Sequence, residues 1–141
     1  MMVAALSLIG AFVALYLTLY KLGYIGQLTC SVGSCETVQT SKWATLLGFP
    51  VAAWGLATYV ILFVLALVGL QPAFEQSRSI SWGLVSLSGW SVLFSGWLTY
   101  LELFVIDAIC MWCVLSAVIM TLVFAASIFD LRATRYRAAE V

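Results

Sequence analysis

The chain has 141 residues, of which 65% are hydrophobic and only 9% charged. One small soluble core cannot hide that much apolar surface, because a domain of this size leaves much of its surface outside, so lipid must cover part of it. Zero net charge and the absence of histidine give no reason to expect a nucleic-acid partner and remove the commonest metal ligand and general base.

The charges gather at Lys21, Glu36 and Lys42, at Glu75 and Arg78, at Glu102 and Asp107, and from Asp130 to Glu140. Four uncharged stretches lie between them, over residues 1–20, 49–71, 79–101 and 108–129. Each has the ~20 residues that span ~30 Å of hydrocarbon. The expected architecture is an all-α membrane protein: one domain over residues 1–141, a four-transmembrane-helix bundle with lipid as its surroundings. The first stretch lacks a basic n-region and a small-residue cleavage site, so it reads as a retained span and not as a signal peptide.

The connection from Lys21 to Gly48 is the only long one. It contains Gly23, Gly26 and Gly33 and then Trp43, Leu46 and Leu47, whose i, i+3, i+4 spacing suits a short amphipathic helix on the end of the bundle. Pro50 has the φ preferred at a helix start and opens the second span. The short turns at 71–79 and 102–107 make the second, third and fourth spans antiparallel neighbours. On the third span Ser81, Ser88, Ser91 and Ser95 form a stripe beside Gly89 and Gly96, which suits close helix packing and offers walls for an apolar cavity. Trp54, Trp82, Trp90 and Trp97 read as interface anchors or lipid-facing bulk. Glu102 and Asp107 could pass protons, but each sits at a span boundary where charge is expected anyway, so neither is read as catalytic, and Asp107 suits a cap for the fourth helix. The basic segment from Arg132 to Arg137 reads as a solvated helix end or a short disordered terminus.

With four spans, Arg78, Arg132, Arg135 and Arg137 share one side and Lys21 and Lys42 the other. The positive-inside rule makes the arginine side cytoplasmic. The first loop is then extracytoplasmic and the chain a multi-pass cell-membrane protein. Helix parity places Cys30 and Cys35 of that loop on the same face as Cys110 and Cys113, which open the fourth span.

An even number of cysteines on an outward face fits an oxidising compartment. Plain structural disulfides, in a membrane scaffold or a transporter subunit, are one reading. An all-thiolate zinc site is another, although the loop pair is widely spaced and apolar spans offer few supporting partners. The Cys110-Met111-Trp112-Cys113 spacing favours a third, thiol–disulfide exchange. It sets two sulfurs about one turn apart at a helix start, where unpaired N–H groups and the dipole stabilise a thiolate, and such a thiolate is a good attacking or leaving group. Trp112 is near enough in sequence to the sulfurs to line a cavity beside them.

Taken together, these elements resemble the vitamin K epoxide reductase family, including its bacterial disulfide-generating members. The matching features are the loop pair Cys30 and Cys35, Ser41 six residues after the second cysteine and within Ser41-Lys42-Trp43, Gly48-Phe49-Pro50 at the start of the second span, and Cys110-x-x-Cys113. The resemblance implies a membrane thiol:quinone oxidoreductase. In it Cys113 attacks a quinone, Cys110 exchanges with the loop pair, the loop pair takes electrons from a thioredoxin-like protein, and Ser41 helps to hold the loop. The quinone would be of the menaquinone, ubiquinone or vitamin K type, contacted by Ser41, Trp112 and Cys113, with no metal. Animal members carry a tyrosine where this chain has Ala117, and an asparagine without counterpart between Val51 and Leu70. Those departures favour simple quinone chemistry over epoxide reduction. Many bacterial relatives carry a fused thioredoxin-like domain, which this sequence lacks, so a separate partner is expected. The four-span disulfide-bond protein B type does similar chemistry but carries its C-x-x-C in the first loop.

Overall fold

The computed structural model describes residues 1–27, 29–30 and 33–140. Four long helices dominate: α1 (Met2–Lys21), α3 (Val51–Gly69), α4 (Arg78–Phe104) and α5 (Met111–Ala139), with a short α2 (Cys35–Thr40) in the first connection. All four long helices have the length and apolarity to cross a membrane. The expected architecture, four apolar helices with a short helix in the first loop, is therefore observed.

Small side chains on α1 let it pack closely. Ala4, Ser7, Gly10 and Ala14 are buried along one side, and such a seam lets helix backbones approach where no hydrophobic drive operates between helices in lipid. α1 packs on both α3 and α5, and α5 packs on α4. Tyr59 of α3 ties three of these helices together. A Cβ at Gly10 of α1 would overlap its ring, and its hydroxyl donates to the Ser116 carbonyl of α5 over 2.7 Å. Gly89 plays a related part on α4, where a Cβ would lie 3.1 Å from the Phe124 ring of α5. The contact between α3 and α4 is sparser than these, and that sparseness leaves room for the cavity described below.

The short helix lies earlier than the spacing of Trp43, Leu46 and Leu47 implies. After α2 the chain makes a 3-10 turn at Lys42–Ala44 and then a hairpin of β1 (Thr45–Leu46) and β2 (Phe49–Pro50), paired Thr45 with Pro50 and Leu46 with Phe49. Leu47 and Gly48 form its two-residue turn with φ of 54° and 83°. Both values are positive, as in the tight hairpin turns whose twist matches that of the strands. Gly48 accepts this conformation freely and thereby ends the helical pattern. The Trp54 indole donates to the Leu46 carbonyl, and its ring meets Phe49 edge-on, which ties the hairpin to α3.

Three boundaries also shift. Pro50 is the residue before α3, not its first. α4 continues to Phe104, which brings Glu102 inside a helix. α5 extends to Ala139, so the basic segment is helical, with Arg137 paired to Glu75 at 3.2 Å across an exposed surface. Such a pair contributes little to stability.

Gly10→Val should lower the melting temperature of the purified protein in detergent, by about 1–3 kcal/mol of overpacking against Tyr59. Gly26→Ala, in open space, serves as the control; equal melting of the two variants would contradict the packing described here.

Candidate functional site

At the end of α1 and the start of α5 the chain builds a second, smaller core. Leu17, Cys35, Val38, Ala108 and Cys110 are buried in it, and Cys30, Cys113, Tyr16 and Trp112 pack against it. All four cysteines are thus brought together, as helix parity requires. Cys30 and Cys35 form a disulfide, while Cys110 and Cys113 are thiols.

Backbone pairing fixes the loop to the start of α5. Gly33 forms a β-bridge with Cys110, and the Ser34 amide donates to the Ile109 carbonyl over 2.7 Å. Gly33 has a φ of 93°, and a Cβ there would overlap the Ile109 carbonyl oxygen. Glycine is therefore required twice, for its conformation and for the close approach. Side chains reinforce the dock. Trp112 donates from its indole to the Thr29 carbonyl over 2.7 Å, its ring lies 5.1 Å from that of Tyr16, and the Tyr16 hydroxyl accepts the Thr29 amide. On the other side of the loop Lys21 donates to the Gln39 carbonyl over 2.6 Å. That bond ties the last turn of α2 to the last turn of α1.

The burial of the cysteines is unequal. Cys110 is 0% and Cys35 1% exposed, whereas Cys30 and Cys113 are half-buried. Cys113, one helical turn after Cys110, accepts a hydrogen bond from the Gln39 amide with N···S 3.4 Å. Glu102 lines the same cavity as Cys113. Glu102 is 4% exposed and accepts the Cys110 backbone N–H at 3.2 Å, satisfying a donor that the start of α5 leaves open.

Cys113 also faces a cavity of about 290 Å³ between α3, α4 and α5, with Gln39, Tyr59, Phe94 and Glu102 among its walls. That volume is at the lower end for a small-molecule site, and the site has the expected make-up of apolar walls with a few convergent polar groups. Trp54 and Trp90 line it as well, with Trp90 71% exposed at its outer side. These two tryptophans therefore do more than anchor an interface.

Several expectations need correction. Trp112 is not among the cavity's lining residues; its ring is taken up by Tyr16 and Thr29, so it holds the loop. Ser41 does line the cavity, and its hydroxyl donates to the Val38 carbonyl over 2.7 Å. Asp107 does not cap α5, because Cys110 occupies the capping position; Asp107 is instead exposed at a φ of 52°. Of the two polar groups at the sulfurs, Gln39 was not singled out from the sequence, and Glu102, read there as a boundary charge and not as catalytic, is buried. Glu102 carried a readable signal, since it continues the seven-residue spacing of Ser81, Ser88 and Ser95, and three of these four positions are buried. Gln39 lies one turn after Cys35 on the same side of α2, a signal readable only once that helix is known.

Gly33→Ala should loosen the dock, because a non-glycine residue held at this φ costs about 1–3 kcal/mol. Cys110 should then react with a maleimide roughly tenfold faster, a factor worth about 1.4 kcal/mol, as read by mass shift; an unchanged rate would show that the loop does not shield it.

The family model described as "Vitamin K epoxide reductase family" matches residues 1–128. That match takes in the loop cysteines, the cavity and the C-x-x-C helix, and accounts for the disulfide beside a dithiol at the end of a four-helix membrane bundle. The chain belongs to the vitamin K epoxide reductase family, whose enzymes are quinone-dependent thiol–disulfide oxidoreductases.

Proposed function

We propose that this enzyme relays electrons in two stages across its cysteine cluster, from a separate thioredoxin-like protein to a membrane quinone. The observation that carries the reading is the division of labour among the sulfurs. Cys113 faces the cavity, while Cys35 and Cys110 are buried in one cluster away from solvent. A partner dithiol attacks the Cys30–Cys35 disulfide at Cys30, the more exposed of the two sulfurs, and Cys35 leaves as the thiolate. Cys35 then exchanges with Cys110 when the helix pair is oxidised. The partner leaves as a disulfide, and two electrons arrive at Cys110 and Cys113. A bonded loop pair beside a free helix pair is the pattern this relay calls for before quinone reduction.

The cavity suits the second stage. Its apolar walls can take a quinone ring, the Gln39 amide offers a donor beside Cys113, and the sparse α3–α4 contact gives an isoprenoid tail a lateral way in from lipid. Ser41 helps to shape the wall where the loop closes over the cavity. Ala117 also lines the cavity, at the position where animal members of the family carry a tyrosine, and brings no hydroxyl there. That favours a plain quinone as substrate over the epoxide. The arginine bias of the opposite loops supports a cysteine face outside the cytoplasm, where exported proteins acquire disulfides.

Purified protein should bleach quinone absorbance when given a reduced thioredoxin-like protein, and Cys113→Ala should abolish this turnover. A partner lacking its resolving cysteine should accumulate as a mixed disulfide on Cys30 and not on Cys35. Full quinone-dependent turnover by Cys113→Ala would overturn the relay, and trapping on Cys35 would reverse the order of its first stage.

A further inference from the structure

The relay delivers electrons to the quinone but leaves its protons unassigned. Reduction of a quinone by a dithiol requires two of each: the S–H bonds of Cys110 and Cys113 break, the S–S bond between them forms, and the electron pair and both protons end on the quinone. Inside a largely apolar cavity those protons need a carrier.

Among the described residues lining the cavity, Glu102 is the one carboxylic acid, and neither lysine nor arginine joins it. It shares that lining with Cys113 and holds the backbone N–H of Cys110, one helical turn before Cys113. A carboxyl group has about four lone-pair sites, so the bond accepted from the Cys110 backbone N–H leaves capacity for the thiol. The other groups nearby are poorly suited. The Tyr59 hydroxyl is engaged by Ser116, Asp107 and Glu36 are exposed and line no part of the cavity, and the chain has no histidine. The one ion pair among the described residues joins Arg137 and Glu75, so no cation explains why a carboxyl is buried at 4% exposure. An ionisable side chain within a span, facing the bundle interior without such a partner, marks a proton or substrate path more often than a structural need.

We infer that Glu102 is a catalytic residue of the cysteine–quinone step, its protonated carboxyl giving its proton to a quinone oxygen and taking the proton of the Cys113 thiol in return. The second proton comes from the Cys110 thiol as its sulfur bonds to Cys113, so that two thiols and one quinone become one disulfide and one quinol. Glu102 ends the cycle in its starting protonation state. This inference rests on the relay proposed above, but adds a residue that the relay alone does not require.

E102Q separates the two roles of the side chain, since the amide oxygen can still accept the Cys110 N–H while the group no longer carries a proton. Single-turnover quinone reduction by the pre-reduced variant should slow about 100-fold, the low end for loss of a general acid–base group. Exchange of the Cys30–Cys35 disulfide with a reduced thioredoxin-like protein should be unchanged, and E102D should recover part of the rate. A readout independent of quinone is the infrared difference between protein with the helix pair reduced and chemically oxidised. It should contain a carboxyl C=O band, because the thiol partner of Glu102 is consumed, and E102Q should lack that band.

Wild-type quinone-reduction rates in E102Q, or a wild-type infrared difference without a carboxyl band, would overturn the inference. If E102Q folds poorly, E102D and the wild-type infrared spectrum still decide it. If wild-type protein reduces no quinone at all, the relay itself fails, and the infrared result still reports on Glu102 separately.

Discussion

Everything at the active end of this protein depends on a short stretch of backbone pairing between the first loop and the start of α5. The Gly33–Cys110 bridge and the Ser34-to-Ile109 hydrogen bond set a loop disulfide beside a helix dithiol without any covalent link between them. The arrangement meets two opposed needs. The proposed relay requires sulfurs that can reach one another, yet a permanent bond between loop and helix would stop it. Backbone hydrogen bonds, an indole–carbonyl bond from Trp112 and the lysine bond from Lys21 hold the loop with interactions that can break and re-form.

The bundle beneath supplies rigidity where it is needed and a gap where it is not. Small residues along α1 bring α3 and α5 close, and Tyr59 locks that side by filling the space left at Gly10. On the other side α3 and α4 touch less closely, so the cavity opens beside Cys113 and not in the middle of the core. Ser81, Ser88 and Ser95 keep one side of α4 slim, and Ser88 satisfies its hydroxyl within its own helix. The same seven-residue spacing then delivers Glu102 to the sulfurs. In this way one helix surface combines close packing, a cavity wall and a carboxyl at the reacting end.

Much of this was legible in the sequence because lipid imposes simple rules. Charge-free stretches of the required length marked the four helices, and counting them placed Cys30, Cys35, Cys110 and Cys113 at one end before any contact was known. What could not be read depends on details finer than hydropathy. The i, i+3, i+4 spacing of Trp43, Leu46 and Leu47 mimicked a helix, but the positive φ of Leu47 and Gly48 turns that segment into a hairpin. Trp112 adjoins the sulfurs in sequence, yet successive residues on a helix point about 100° apart, so it faces the loop while Cys113 faces the cavity. Glu102 resembled a boundary charge because the helix carrying it continues past the last apolar residue of the uncharged stretch.

The central claim is that the cavity beside Cys113 is where the quinone docks beneath the closed loop. Photo-crosslinking with an azido-quinone, followed by peptide mapping, tests it without relying on turnover. The account predicts labels on residues of the cavity wall, such as Gln39, Phe94 and Ala117, and protection of those residues by unmodified quinone. Labelling confined to the outward surfaces, at exposed residues such as Leu93 and Val118, would contradict it.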